Sequence, residues 1–310
     1  MKRRSSAGQP GCTVTLLANP TLRLFIGAAL ISLSPVWVRL VDVAPSTSGF
    51  YRVLFGAVAL VVYLIATRRQ LHLSRRAWWL LLVTSFFLAL DLWFWHRSIN
   101  YIGPGLSTLL ANFQVFFMMI AGIVFLRQVP RPAQVIAVPL ALLGLALIVG
   151  LDWNALPDNY RLGVIFGLLT AVTYAAYLLM LRASRSLSSF RVPTRELAVV
   201  SVMCAVMMAA TVLVEGESLM IPTYEDLGWL VAYGVLSHSL GWLFIASSLS
   251  EVTTVEAGLA LLLQPTLSFA WDVLFFERPM TVIEVVGAAI ALAAIYLGSR
   301  SSSKQIQGAR

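Results

Sequence analysis

The sequence predicts an all-α polytopic membrane protein whose ten transmembrane helices form two inverted five-helix repeats. Three observations predict it. Ten apolar runs fill nearly all of the 310 residues, each long enough to cross a bilayer at about 20 residues per helical span. Short loops separate them, and the arginines of those loops fall mainly on one side. The fourth and fifth runs recur, in register, as the ninth and tenth. Composition agrees: with 59% hydrophobic and 12% charged residues, one soluble core could not hide so much apolar surface.

Span 1 (22–41) follows Lys2, Arg3 and Arg4 as a signal peptide would, but it outruns an ordinary h-region and reaches Arg39 without a small-residue cleavage pattern, so it reads as retained. It contains Pro35 and Trp37. Span 2 (48–67) opens on Phe50-Tyr51-Arg52, and span 3 (78–97) holds Asp91 beside Trp93 and Trp95. Span 4 (106–126) carries Asn112 and Gln114, and span 5 (132–150) follows Arg127 and Arg131. Span 6 (162–182) presents Tyr174 and Tyr177, and span 7 (197–214) contains Cys204. Span 8 (227–249) sets His238 between Ser237 and Ser239, with Trp242 one turn on. Span 9 (253–276) carries Gln264-Pro265 and Asp272. Span 10 (281–297) has a run of small residues, Gly287-Ala288-Ala289 with Ala291, Ala293 and Ala294, suited to scaffold packing or a dimer contact. The chain then divides into a tail (1–21), a first repeat (22–150), a connecting loop (151–161), a second repeat (162–298) and a tail (299–310).

Arginine placement sets the expected orientation, since short cytoplasmic loops retain cationic residues. With the N-terminus inside, most of the 22 basic residues fall on the inner side and Arg39, Arg97, Arg161 and Arg278 on the outer, so both termini are expected in the cytoplasm. The net charge of +8 then reflects topology and attraction to the lipid surface, with no nucleic-acid partner. Cys12 and Cys204 are too far apart in this topology to imply a disulfide framework.

The repeat lays Ser98 on Ser248, Leu109 on Leu259, Gln114 on Gln264, Phe125 on Phe275 and Ala141-Leu142 on Ala291-Leu292 without a gap. Five spans per half is an odd number, so the second half enters the membrane from the opposite side. Inverted pairs suit alternating access. The only lysines are Lys2 and Lys304, which leaves no phosphate-binding loop, and His72, His96 and His238 lie in three separate segments with no HExxH. No cofactor and no metal are expected, and no enzyme activity.

The segment from Ser247 to Gly258, followed by Leu263-Gln264-Pro265 and closed by Phe276-Glu277-Arg278-Pro279-Met280-Thr281, resembles the EamA module of the drug/metabolite transporter superfamily, as does Phe50-Tyr51-Arg52. The resemblance covers almost the whole chain as two modules. It implies a central cavity lined by spans one to four and six to nine, with spans five and ten peripheral. Within the superfamily the chain is most similar to YddG-type exporters of aromatic amino acids and methyl viologen. That implies a bacterial inner-membrane location and export of a small molecule. The first module departs from the pattern at Val115 and Arg127, where the second has Pro265 and Glu277.

Intramembrane polar and aromatic groups are the candidate site, because burying them is costly without a partner or a wet cavity. Asp91 could attract a substrate ammonium or carry a proton, or pair locally with Arg97. Asn112, Gln114 and Gln264 can each donate and accept, matching a zwitterion, or join helices. Trp37, Trp95, Tyr174, Tyr177 and Trp242 could stack a ring or hold a cation, and otherwise pack or face lipid. His238 could gate with pH or stand as a satisfied core histidine. Pro35 and Pro265 are expected to open their helices, and Asp272 to sit near the outer mouth. The expected function is secondary export of small metabolites, most of all amino acids, by a monomer or weak homodimer; the alternatives are an exporter of cationic drugs or nucleobase-like metabolites and a membrane enzyme acting on lipid-linked substrates.

Overall fold

The computed structural model describes residues 19–68, 73–127, 129–130, 132–149, 156–185, 194–248 and 254–300, with the backbone alone at 126, 185, 254–262 and 298–300. Residues 1–18 and 301–310 of the predicted tails, with Cys12, and His72 lie outside the described residues. Among those described, the secondary structure is entirely helical.

Local signals set the helix ends. Helix α1 (Pro20–Ser32) starts where the Asn19 side chain accepts the N–H groups of Thr21 (2.9 Å) and Leu22 (3.3 Å), with proline at the first helical position. It breaks at Leu33 and resumes as α2 (Ser34–Leu40), because Pro35 has no N–H to continue the ladder. Helix α3 spans Pro45–Ala66. Helix α4 (Arg75–Ile102) is capped by Ser74, whose Oγ accepts the Ala77 N–H at 3.2 Å, and ends at Gly103 with φ of 85°. It therefore outruns the predicted 78–97 at both ends, since caps rather than hydropathy terminate it. The fourth span is two helices, α5 (Pro104–Ala111) and α6 (Gln114–Leu126), parted at Asn112-Phe113. There the N–H groups of Phe113 and Phe116 bond three residues back, tightening the chain.

Helices α7 (Pro132–Val149), α8 (Asp158–Arg185) and α9 (Thr194–Glu215) follow. The eighth rod is composite: α10 (Tyr224–Ala232), a π-helical stretch Tyr233–Gly241, and α11 (Trp242–Ser248). Helix α12 (Thr254–Phe276) runs unbroken through Pro265, and α13 (Val282–Arg300) closes the fold. Among the described residues, eight rods have the length and apolarity to cross a membrane, and Val282–Leu297 is a shorter apolar helix.

The closest helix pairs join one half of the chain to the other: α4 with α8, α7 with α13, α3 with α9, α12 with α1 and α5, and the π-helical stretch with α3 and α1. Lipid tails are as apolar as leucine, so such contacts are held by packing and small residues rather than by water exclusion. The α7–α13 pair illustrates it. A Cβ on Gly144 would fall 2.7 Å from the Ala291 nitrogen and the Gly287 oxygen, so only glycine permits this approach. Gly287, Ala288, Ala291 and Ala294 of the small-residue run are buried, while Ala289 and Ala293 are exposed. Val62, Ile65, Phe125, Val206, Leu213 and Leu274 stand exposed around the outside, a surface suited to lipid.

Candidate functional site

The rods enclose a cavity of about 90 Å³, and of the sequence-predicted site residues Pro35, Asp91, Trp95, Asn112, Tyr174, Tyr177, His238, Trp242 and Gln264 line it. Arg52, Thr108, Ser201 and Ser268 also stand in its polar wall, with Ser34 and Thr170.

The break in span 1 builds one wall. Because Val36 bonds the Leu33 carbonyl instead of Ser32, the Ser32 carbonyl is free to accept Ser268 Oγ at 3.0 Å, and Leu30 accepts Ser237 Oγ at 2.6 Å. The break at Leu33 thus frees a carbonyl that span 9 then holds. Pro265, by contrast, sits buried in a continuous helix away from the cavity wall.

Asp91, on α4, is 7% exposed, and its Oδ1 has no hydrogen-bond partner. The predicted local alternative, pairing with Arg97, is not what is seen: Arg97 turns to Glu215. Tyr174 and Tyr177 stack at 5.7 Å with ring planes 9° apart. His238 shares a hydrogen bond of 2.8 Å with Ser201, and its Nδ1 is buried without a partner. Gly56 makes room for it, since a Cβ there would meet His238 Cδ2 at 2.3 Å. Asn112 donates to the Thr108 carbonyl at 2.8 Å and so steadies the α5–α6 break.

Besides Pro265, three predicted side chains stand elsewhere. Trp37 backs the site: it stacks on Trp229 at 5.4 Å and donates to Ser237 Oγ at 3.1 Å. Gln114 is half-buried off the cavity wall, with Oε1 unpartnered, while its register mate Gln264 reaches the wall. The tightened break before Gln114 changes the angular phase of α6, and the corresponding stretch of α12 has no break. Asp272 is 2% exposed, not solvated: it accepts the Gly105 N–H at 2.9 Å and pairs with Arg278 at 3.3 Å. It joins α12 to the α4–α5 turn.

Arg52 was not among the predicted site residues, although an intramembrane arginine is itself a signal. Its guanidinium lies 5.3 Å from the Trp95 ring centre and 5.0 Å from that of Tyr233. His96, fully buried behind it, was likewise passed over.

At one end of the bundle, polar ties join the two halves. Arg97 pairs with Glu215 at 2.7 Å, and Glu215 also accepts from Ser46 (2.6 Å) and Trp93 (2.7 Å). Thr47 N–H donates to Glu217, Tyr51 to the Leu219 carbonyl, and Asp42 N–H to Asp226. With Asp272–Arg278 these ties gather where α2, α4 and α9 end and α3, α5 and α10 begin.

A helical bundle with lipid-suited flanks and a charged, aromatic-walled cavity inside it is a multi-pass membrane transporter. The chain belongs to the EamA-like transporter family, whose profile matches residues 20–150 and again 161–300. It is 26% identical over 264 residues, 80% of each chain, to the uncharacterized inner membrane transporter YhbE of Escherichia coli (strain K12). It is 29% identical over 133 residues, 41% of this chain and 43% of the relative, to an uncharacterized transporter of Haemophilus influenzae. A crystal structure of a protein 16% identical in sequence covers 93% of this chain and 99% of its own with a TM-score of 0.64, a likeness of fold.

Proposed function

We propose that the chain is a secondary exporter of small metabolites, chiefly amino acids including aromatic ones, working by alternating access in a bacterial inner membrane. The observation that carries it is the unpartnered Asp91 carboxylate in a cavity walled by Trp95, Trp242 and the stacked Tyr174–Tyr177 pair. A carboxylate can hold an ammonium, and aromatic faces accept an aromatic side chain or a cation. Gln264 adds a donor and an acceptor. Asp91 and His238 are the candidate coupling groups, and Pro35 marks the hinge.

Ten spans in two inverted repeats are the architecture behind this reading. Backbone landmarks that keep the 150-residue register support it: α5 and α12 begin at Pro104 and Thr254, and α7 and α13 at Pro132 and Val282. Arg127 and Glu277, unlike in chemistry, end α6 and α12 with φ of 50° and 49°, left-handed in both. The helix pairs are also unchanged when the halves are exchanged, which supports a two-fold arrangement. With both termini cytoplasmic, the polar-tied end is the outer one, and the conformation is closed outward. Loading an aromatic substrate then requires the inner end to part.

The test is uptake of labelled phenylalanine into liposomes holding the purified protein, with unlabelled amino acids, methyl viologen and nucleosides as competitors, with and without a pH gradient. Saturable flux competed by amino acids is expected, and Asp91→Asn is expected to remove the gradient dependence while sparing counterflow. Flux competed only by methyl viologen or nucleosides would replace amino acids with those classes.

A further inference from the structure

We infer that Arg52 is an anion subsite of the transport cavity that takes the carboxylate of the substrate, and that Tyr233 and His96 are the positioning residues that aim it. This rests on the transport reading above and narrows its substrate class to molecules bearing a free carboxylate.

The argument starts at His96. Its Nδ1 lies 2.7 Å from the Leu92 carbonyl, which can only accept, so Nδ1 carries the proton. Nε2 of the neutral ring is then an acceptor, and Tyr233 O–H, 3.3 Å away, donates to it. The Tyr233 oxygen in turn accepts Arg52 Nη1–H at 2.9 Å. Every group in this chain has one direction open to it, and the direction ends on a guanidinium. Tyr233 and His96 are fully buried, so packing holds the relay in place.

The relay uses only Nη1. Arg52 Nε is buried with no partner, and Nη2 makes no bond among the described residues. Nε–H and Nη2–H form the side edge of the guanidinium, a fork that matches the two oxygens of one carboxylate. The Trp95 and Tyr233 ring faces stabilise the cation without consuming that edge. Arg52 and Asp91 both line the cavity, both are at least nine-tenths buried, and no ion pair joins them. A cavity holding a guanidinium and a carboxyl group with no ion pair between them is complementary to a zwitterion. A cationic drug or a neutral nucleoside would leave the Arg52 edge unmet.

The test is tryptophan fluorescence titration of the purified full chain with three probes: phenylalanine, phenylalanine amide and 3-phenylpropionate. Wild type is expected to bind phenylalanine about tenfold or more tightly than its amide, which keeps the ammonium and lacks the carboxylate. Phenylpropionate is expected to bind measurably. Arg52→Gln is expected to abolish the acid-over-amide preference. Tyr233→Phe, which keeps the ring and loses the hydroxyl, is expected to reduce that preference, and it decides the matter if Arg52→Gln does not fold. Equal binding of acid and amide by wild type, no binding of either carboxylate, a preference that survives in Arg52→Gln, or one undiminished in Tyr233→Phe overturns the assignment. Liposome flux separates the two readings. Carboxylate-selective binding without flux of labelled phenylalanine keeps the subsite and removes phenylalanine export; phenylalanine flux competed equally by the amide keeps export and removes the subsite.

Discussion

Replacing Arg97 by alanine will loosen the closure at the polar-tied end of the bundle and raise access to the cavity from that side. Arg97 Nη2 lies 2.7 Å from Glu215, its Nη1 donates to Ser46 at 3.2 Å, and its guanidinium covers the Trp93 ring at 4.0 Å. The two partners of the ion pair retain only 15% and 24% side-chain exposure, so the pair is neither fully screened nor deeply desolvated. A charge-assisted hydrogen bond contributes about 1.5–3 kcal/mol; discounted for exposure, its loss shifts the closed-to-open balance by about 1–2 kcal/mol, a factor of about 5–30. The reporter is Thr108→Cys, on the cavity wall, in a background with Cys12→Ser and Cys204→Ser. Its labelling by a membrane-impermeant maleimide in right-side-out vesicles is expected to accelerate by that factor in Arg97→Ala, and less in Arg97→Lys. A rate unchanged within about twofold in vesicles of both orientations refutes the assignment of these ties as a gate.

Three further outcomes follow from named contacts. Gly144→Ala forces a Cβ against the α13 backbone and is expected to cost about 1–3 kcal/mol, read as a lower melting temperature of the detergent-solubilised protein. Asp272→Ala leaves the Gly105 N–H without its acceptor and Arg278 with only Glu284 and the Ile102 carbonyl, and is expected to cost about 1–3 kcal/mol in the same assay; a variant as stable as wild type removes Asp272 from the tie between α12 and the α4–α5 turn. Gln264→Ala is expected to raise the half-saturation concentration for transport, while Gln114→Ala, off the wall, leaves it unchanged; equal effects would restore the symmetric pair.

Much of the site was legible because lipid penalises polar groups: Asp91, His238 and Gln264 stood out against apolar runs, and all three line the cavity. Repeat symmetry misled at Gln114, since the break at Asn112-Phe113 has no counterpart in α12 and turns the two side chains differently. Pro265 misled in the opposite sense, because a helix can pass through a proline when its neighbours hold it. Arg52 was visible as a charge inside a span, yet nothing in one dimension says that Tyr233, 181 positions away, takes one of its donors.

The sequence by itself determined the apolar rods, their approximate ends and the two-module order, because those follow from the thickness of a bilayer and from the period of a helix, both local properties. The tertiary structure alone decided which polar atoms meet a partner and which are left open. That is a matter of angular phase and close approach between helices distant in the chain: Gly56 admits His238, the span 1 break offers Ser32 to Ser268, and α4 brings Asp91 and His96 to opposite uses five residues apart. A substrate reads those open atoms, and no window of sequence contains them.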